Sequence, residues 1–334
     1  MPISPRSRPR RSWKAPAIAA ALLAAAAAGI GACVSQPLVT ARAPSSTGAS
    51  DPARLERHVR MLAETLHPRG HEHVENLDRA AAYLGAELAG AGGKVSEQPY
   101  DVRGRRYRNV IARFGPESGA RVVVGAHYDA ADDHPGADDN ASGVAGLLEL
   151  ARLLGETPPA APVELVAYTL EEPPFFRTEH MGSAHHARSL KEAGVAVRAM
   201  ISLEMIGYFT DAPGSQSFPV ASMGLLYPTT GNFIAVVGHL GETDLVREVK
   251  GAMMGANDLP VYSLNAPASV QGIDWSDHLN YWANGYHAVM VTDTSYLRNE
   301  RYHTDRDTPD TLDYRRMGQT VDGVFQAVMA LAAP

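Results

Sequence analysis

Residues 121–143 read RVVVGAHYDAADDHPGADDNASG, an apolar run followed by two histidines and five aspartates set among glycines. The apolar run predicts a buried strand, and the pattern VAGLLEL that comes next predicts a helix. Carboxylates and imidazoles crowded at the end of a buried strand are costly unless a cation gathers them. The stretch therefore predicts a strand–loop–helix unit with a metal site in its loop.

Strand-like and helix-like segments alternate along the chain from Asp51 onward. Fully apolar strands that alternate with helices predict a largely parallel sheet covered on both faces. We therefore expect a single α/β domain over residues 51–334, with a mixed, mostly parallel central β-sheet and helices on both faces. The predicted strands are residues 94–100, 107–114, 121–126, 163–170, 197–203, 233–238 and 286–293. The predicted helices are residues 51–66, 76–93, 140–154, 182–194, 245–255 and 317–333.

Three of the apolar strands end at a side chain that can bind a metal. His127 follows the first, the pair Glu171–Glu172 follows the second, and Glu204 follows the third, while Asp139 lies in the loop after the first strand. Ligands of parallel sheets gather beyond the carboxyl ends of the strands. We therefore expect these side chains to meet at one edge of the sheet.

The two adjacent glutamates divide naturally between two tasks. Neighbouring side chains at a strand end point apart, so one of the pair would bind metal and the other would face the substrate and a metal-bound water. Charge balance favours two divalent ions, because Asp139, Glu172, Glu204 and a hydroxide would cancel their charge. Mixed imidazole and carboxylate ligands favour zinc.

Six segments of the chain carry a resemblance to a known family: GAHYDA, PGADDNASG, YTLEEPPFF, ISLEMIGY, WSDHLNYW and RYHTDRDTPDTLDY. In this order, from about residue 52 onward, they resemble the di-zinc exopeptidases that include bacterial leucyl aminopeptidases, aminopeptidase S and glutaminyl cyclases. The resemblance implies a zinc-exopeptidase (phosphorylase/hydrolase-like) fold, peptide substrates and two zinc ions per chain. His127 and Glu204 would bind one zinc, Glu172 and His303 the other, and Asp139 would bridge them.

The resemblance also implies the catalytic roles. Glu171 would be the general base that takes a proton from the water bridging the metals, and the resulting hydroxide would attack the peptide. Asp129 would hold His127 through the second ring nitrogen of the imidazole, the usual arrangement for a ligating histidine. A cis peptide bond is expected after Asp139.

Residues beside these motifs are candidates for a substrate pocket. Arg177 is the candidate for binding a substrate carboxylate. Glu204 stands where aminopeptidases of the family usually carry aspartate and related carboxypeptidases often use glutamate, so the end of the peptide that is attacked stays open. Phe175, Phe176, Tyr208 and Tyr302 could line the pocket or pack in the core, and we place Asp277 in the pocket or just behind the ligands.

Several other patterns have plainer interpretations. Residues 138–149 nearly match a calcium-binding EF-hand loop, but a strand rather than a helix precedes them. Ser276, Asp277 and His278 are adjacent in sequence and cannot face one another as a catalytic triad. The pairs His71/His73 and His185/His186 are interpreted as solvated or packed side chains.

The N-terminal segment has the features of an export signal. Five Lys/Arg residues and no acid precede an alanine-rich apolar stretch that ends in IGAC. We expect residues 1–32 to be a lipoprotein-type signal peptide, Cys33 to be lipidated, and residues 33–50 to be a flexible tether. An ordinary signal peptide and an uncleaved N-terminal anchor are the alternatives. The protein would then be exported and lipid-anchored at the cell envelope.

Composition narrows the classes of function. Without residues 1–32 the chain has 25 Lys/Arg against 37 Asp/Glu, a net charge of −12, which disfavours nucleic-acid binding. Cys33 is the single cysteine, so cysteine nucleophiles and disulfides are not expected. The leading hypothesis is a zinc-dependent aminopeptidase. A carboxypeptidase, a glutaminyl cyclase and a non-enzymatic metal-binding domain are the alternatives.

Overall fold

A single eight-stranded sheet forms the centre of the protein. The computed structural model describes residues 14–44, 46 and 48–334. The strands lie in the order β1-β2-β4-β3-β5-β8-β6-β7. Their bounds are β1 Lys94–Val102, β2 Arg105–Phe114, β3 Arg121–His127, β4 Val163–Tyr168, β5 Val197–Glu204, β6 Ile234–His239, β7 Val261–Ala266 and β8 Ala288–Thr292. The four strands β4, β3, β5 and β8 are parallel, whereas β2 and β6 run antiparallel to their neighbours in this group.

Helices cover both faces of this sheet, as the sequence predicts. Alternate residues of β3 point to opposite faces, so Val122 and Val124 belong to one apolar core and Val123 to another. The larger core packs against α2, α3, α4, α6 and α8, and the smaller one against α5 and α7. Helix bounds are α1 Lys14–Ser35, α2 Pro52–Arg60, α3 Val74–Gly90, α4 Gly143–Glu156, α5 Gly182–Glu192, α6 Thr243–Ala256, α7 His278–Ala283 and α8 Tyr314–Leu331.

Two elements escaped the sequence analysis. Strand β7 has the sequence VYSLNA, in which Ser263 and Asn265 interrupt the apolar pattern, although both side chains are buried. Helix α7 has only six residues, too few for helical periodicity to be visible. The seven predicted strands correspond to the other seven strands of the sheet, so the predicted fold class is confirmed.

The segment expected to be a flexible tether, residues 33–50, lies along the surface of the domain in its described part. The amide of Arg42 donates to the carbonyl of Gly251 over 2.9 Å, and the amide of Ser50 donates to Asp322 over 2.7 Å. The close approach requires glycine, because a Cβ at Gly255 would lie 1.6 Å from the carbonyl oxygen of Arg42. The described part of the segment therefore contacts the domain, and its flexibility stays a prediction.

Helix α1 spans the predicted apolar stretch of the signal and continues past Cys33, which is exposed. The positively charged residues 1–13 lie outside the described residues. No helix in the described part of the chain combines the length and hydropathy that crossing a bilayer requires. The proposed processing at Cys33 stays a prediction.

Candidate metal centre

The five predicted metal ligands meet at the carboxyl edge of the parallel strands. His127 is the last residue of β3 and Glu204 the last residue of β5, while Glu172 follows β4. Asp139 lies in the turn that leads into α4, and His303 lies in the long connection between β8 and α8. Strand ends thus supply three of the ligands, and loops that return to the same edge supply two.

These side chains form two ligand groups that share one carboxylate. In the first group, His127 Nε2 is 3.3 Å from Asp139 Oδ1 and 3.5 Å from Glu204 Oε2. In the second, His303 Nε2 is 3.0 Å from Asp139 Oδ2 and 3.1 Å from Glu172 Oε2. The potential ligand atoms of each group lie within 4.8 Å of one another. Asp139 therefore presents one oxygen to each group, which is the arrangement expected of a bridging carboxylate.

Unpaired polar atoms test whether a metal fits these groups. The Nε2 atoms of His127 and His303, together with Oε1 of Glu172, are buried without a hydrogen-bond partner. A buried polar atom without a partner is costly, and coordination to a cation would remove that cost. Imidazole nitrogens combined with carboxylate oxygens are a donor set that zinc accepts. The residues present therefore fit zinc.

The acidic side chains of the centre differ in their pKa values. Burial raises the pKa of Glu171 well above its usual value and that of Glu172 to about 8. For Asp139, burial alone would raise the pKa, but the nearby imidazoles of His127 and His303 lower it below its usual value. The imidazoles thus favour the ionised form of Asp139, whereas burial opposes ionisation of the two glutamates.

Glu171 lies beside the centre but outside both groups that share Asp139. Its Oε2 is 3.9 Å from His127 Nε2, and Glu171 forms a third potential ligand group with His127 and Glu172. Glu172, the next residue, is also in contact with His303. The two neighbouring glutamates therefore differ in their contacts: Glu172 reaches the histidine of the second group, and Glu171 reaches only that of the first.

Asp129 ties the end of β3 to the end of β4. The ring nitrogen Nδ1 of His127 lies 3.2 Å from the backbone oxygen of Asp129 and 3.5 Å from its carboxylate Oδ1. The same carboxylate accepts the backbone N–H groups of Glu171 and Glu172 over 3.3 and 3.1 Å. Asp129 therefore orients His127 and fixes the glutamate pair. The bond between Asp139 and Asn140 is cis, as the resemblance implies.

Two supporting residues were not identified from the sequence. Asp307 accepts the backbone N–H groups of Asp138 and Asp139 over 2.9 and 3.1 Å, and its loop also carries His303. Ser276 donates to Glu204 Oε2 over 2.7 Å. The acids near His303 in RYHTDRDTPD could have indicated that Asp307 belongs to the site. Nothing in the motif WSDHLNYW indicates that Ser276 binds Glu204.

Arg69 is a third residue that the sequence analysis missed. Its side chain is fully buried and donates only to backbone carbonyls, those of Leu62, Tyr128, Pro135 and Gly136. Three of these carbonyls belong to the loop between His127 and Asp139. Burial lowers the pKa of the Arg69 guanidinium to about 10, and the nearby acids Asp129 and Asp307 oppose this shift. Arg69 therefore fixes the loop between His127 and Asp139, here called the metal loop, by hydrogen bonds to its backbone carbonyls.

A cavity of about 340 Å³ opens beside the two ligand groups. Glu171, Glu172 and Glu204 line one end of it, and its walls are mostly apolar. The apolar lining comes from strands β6, β7 and β8 and from the loops that follow β4, β5, β7 and β8. Residues that contribute are Phe176, Phe218, Met223, Tyr227, Phe233, Ala235, Val237, Tyr262, Leu264, Ile273, Trp275, Met290 and Tyr296.

The candidate pocket residues occupy different places in the structure. Tyr302 and Phe176 line the cavity, and the Tyr302 ring stacks on His303 with 3.8 Å between centroids. Arg177 lies outside it and pairs with Asp274, because its side chain turns toward the surface. Tyr208, Asp277 and Phe175 are also absent from the lining: the Tyr208 hydroxyl accepts from Arg301, while Asp277 and Phe175 are buried.

The other metal and catalytic patterns also find structural explanations. Glu149 of the EF-hand-like segment is buried and pairs with Arg54 and Arg152. The hydroxyl of Ser276 contacts Glu204, while His278 Nε2 is 2.7 Å from the carbonyl of Ile273, so these residues form no catalytic triad. The histidines of the two sequence pairs contact other residues. His71 packs against Phe175 and His185 against Tyr100, while His73 contacts Asp133 and His186 contacts Glu164.

Replacing Arg69 tests its support of the metal loop. Arg69→Met should weaken zinc binding about 10–100-fold, because the buried carbonyls of the loop lose their donors. Competition with a chromophoric chelator measures the affinity, and circular dichroism checks the fold. Arg79→Met is the matched control, since Arg79 is exposed and bonds only to Asn76 and Thr65. A folded Arg69→Met protein with unchanged zinc affinity would contradict the assignment.

Comparison with known proteins agrees with the site. Residues 109–328 match the profile of the family described as Peptidase family M28. The uncharacterized protein YfbL of Escherichia coli K12 is 49% identical over 298 residues, which cover 87% of this chain and 91% of that protein. Leucine aminopeptidase 1 of Ajellomyces dermatitidis is 27% identical over 225 residues, or 63% of this chain, and the match spans about half (52%) of that protein.

Solved structures share the fold. The zinc aminopeptidase BSAP of Bacillus subtilis has a TM-score of 0.69 at 14% identity, over 85% of this chain and 96% of that one. A glutaminyl cyclase of Bacteroides thetaiotaomicron has a TM-score of 0.65 at 20% identity, over 85% of this chain and 99% of that one. The profile match covers well over half of the chain, and the ligand groups described above lie within it. The chain therefore belongs to peptidase family M28, in agreement with the resemblance of its motifs.

Proposed function

We propose that this protein is an aminopeptidase that holds two zinc ions and removes apolar residues from the N-termini of peptides. The observation that carries the proposal is the charge of the cavity. Three glutamates line the end next to the ligand groups, and no Lys or Arg lines the cavity within the described residues. The α-carboxylate bound by a carboxypeptidase would therefore find no guanidinium or ammonium partner in this cavity, whereas a free peptide N-terminus needs none.

The position of Arg177 supports the same choice. A carboxypeptidase needs a cation to bind the substrate carboxylate, and Arg177 was the candidate for that role. In the structure its guanidinium pairs with Asp274 and stacks over Phe176, outside the cavity. The identity of Glu204 then has a simpler explanation, because its carboxylate reaches His127 while accepting a hydrogen bond from Ser276.

The residues around the centre fit peptide hydrolysis. His127, Glu204 and Asp139 would hold one zinc ion, and His303, Glu172 and Asp139 the other. When bound, the ions supply Lewis acidity that polarises the scissile carbonyl and lowers the pKa of water. Glu171 would accept a proton from the attacking water as the new C–O bond forms. It would return that proton to the amine nitrogen as the C–N bond breaks.

The paired ligand groups favour hydrolysis over glutamine cyclisation. Cyclisation in the related cyclases uses one zinc, whereas His127 and Glu204 here complete a second group with an unpaired Nε2. The shared fold with a glutaminyl cyclase makes cyclisation the activity to test as the alternative.

We also propose that the protein is exported and anchored at the cell envelope through a lipid on Cys33. The support is the sequence alone: a positively charged start, an alanine-rich stretch and the residues IGAC. Mass spectrometry of the natively expressed protein tests this, and an unmodified N-terminus at another position would contradict it.

Replacing Glu171 separates catalysis from metal binding. Glu171→Gln should lower kcat about 10²–10⁴-fold, because the neutral amide cannot accept the proton. The variant should retain its zinc, since Glu171 belongs to neither group that shares Asp139. Elemental analysis measures zinc alongside peptide hydrolysis, and Glu172→Gln serves as the comparison that should lose metal. Full activity of Glu171→Gln would exclude the residue as general base.

A peptide panel tests the substrate end and the role of the cavity. A peptide that begins with phenylalanine should be cleaved when C-amidated and resist cleavage when N-acetylated, and it should be a better substrate than its alanine analogue. Ala235→Trp places an indole in the cavity, so it should lower kcat/KM for the phenylalanine peptide about tenfold or more while sparing the alanine peptide. Free amino acids are quantified by chromatography.

Three results of this panel would contradict the proposal. Cleavage of the N-acetylated but not the C-amidated peptide would indicate a carboxypeptidase. Release of ammonia from a peptide with N-terminal glutamine, without cleavage, would indicate a cyclase. An unchanged preference in Ala235→Trp would show that the substrate side chain binds elsewhere.

A further inference from the structure

The loop of residues 217–227, here called the roof loop, covers the apolar cavity. Phe218, Met223 and Tyr227 face inward and line it. The loop is attached at both ends: the amide of Ser217 donates to the carbonyl of Leu297 over 2.8 Å, and the Tyr227 hydroxyl donates to the carbonyl of Ser263 over 2.7 Å. These contacts fix which side of the loop faces inward and which faces outward.

The outer side of the roof loop is apolar as well. Leu225 is 88% exposed, Leu226 50% and Val220 49%. Large apolar side chains this exposed are few in the described part of the chain: besides these three they are Leu22, Leu23 and Ile30 of α1, with Leu38 and Leu240 elsewhere. Exposed apolar residues therefore concentrate on the roof loop and α1, rather than being scattered singly over the surface.

Helix α1 and the roof loop lie side by side on the β7 edge of the sheet. A Cβ at Gly31 would be 3.6 Å from Leu226 Cδ2. At the end of α1 the carbonyl of Ser35 accepts from the Ser263 hydroxyl over 2.9 Å, and Lys250 Nζ donates to the carbonyl of Gln36 over 2.9 Å. The strand that receives Tyr227 from the roof loop thus also fixes the chain just after Cys33.

We propose that this surface, the apolar ridge, rests in the interface of a lipid bilayer. The ridge comprises Val220, Leu225 and Leu226 of the roof loop with Leu22, Leu23 and Ile30 of α1. A protein groove would take one apolar stripe of a helix, whereas residues 15–35 have no charged side chain on any side. Such a helix needs an apolar medium around it, and the adjoining roof loop would share that medium.

The roof-loop part of the ridge is present whatever the fate of the N-terminus. If α1 is retained, its leucines enter the interface with those of the roof loop. If the chain instead begins at a lipidated Cys33, Leu22, Leu23 and Ile30 are removed, and the contact rests on the lipid anchor of the proposed function. That lipid would leave the protein within a few residues of Gln36, which is held at the β7 edge beside the roof loop.

A fluorescent label on the roof loop tests this contact. The full-length chain has one cysteine, so Cys33→Ser combined with Leu225→Cys gives a single site for an environment-sensitive dye. Vesicles of phosphatidylethanolamine and phosphatidylglycerol should shift the emission of this dye to shorter wavelength. Ala82→Cys in the same background is the control, because Ala82 is exposed on α3, which packs against β1 and β2 at the opposite end of the sheet from β7.

Charge on the roof loop provides a second measurement. The exposed pair Leu225→Glu and Leu226→Glu should weaken vesicle binding about tenfold or more, whereas the pair Ala82→Glu and Ala86→Glu on α3 should leave it unchanged. Flotation measures the bound fraction. Two outcomes would overturn the proposal: a chain that floats with vesicles while the Leu225 dye stays unshifted, or a shift that needs no vesicles and grows with protein concentration. The latter would mean that a second copy of the chain covers the ridge.

Discussion

The carboxylate of Asp139, held between the imidazoles of His127 and His303, is the contact on which the rest of the site depends. Burying this charge is costly, and two histidines from distant parts of the chain compensate for it. The surrounding structure keeps the carboxylate in place. Asp307 binds the backbone of Asp139, and Arg69 binds the loop that leads to it. Replacing Asp307 or Arg69 would therefore destabilise the site although neither side chain is a metal ligand.

The sheet divides the functional site into a charged part and an apolar part. The parallel strands β3, β4 and β5 place His127, Glu172 and Glu204 at their carboxyl ends. There these side chains lie close enough to bind the same cations. The other end of the sheet, β6 to β8, presents a face of apolar side chains to the cavity. The antiparallel pairing of β6 with β8 places this face next to the ligand groups. The ligand groups and a large apolar wall therefore face the same cavity.

The sequence predicted the features that follow from strand periodicity. His127, Glu172 and Glu204 each end or follow an apolar strand, and one rule about parallel sheets brings them together. Arg69 and Asp307 could not be predicted in this way. Both bind backbone groups, which every residue has, so the sequence of the partner segment gives no sign of the contact. Arg177 was misplaced for a related reason: its position in sequence, beside the ligands, said nothing about the direction of its side chain. Strand β7 was missed because polar residues such as Ser263 and Asn265 usually indicate an exposed segment, whereas here both are buried.

One loop late in the chain carries both His303 and Asp307, and this arrangement affects when the site can exist. Asp139 is complete only after a segment more than 160 residues further along has folded over it. A chain still being synthesised holds the first part of the site without its closing loop. The ligand group that contains His303 can therefore assemble only after nearly the whole chain has been made, so the last segment to emerge completes the centre.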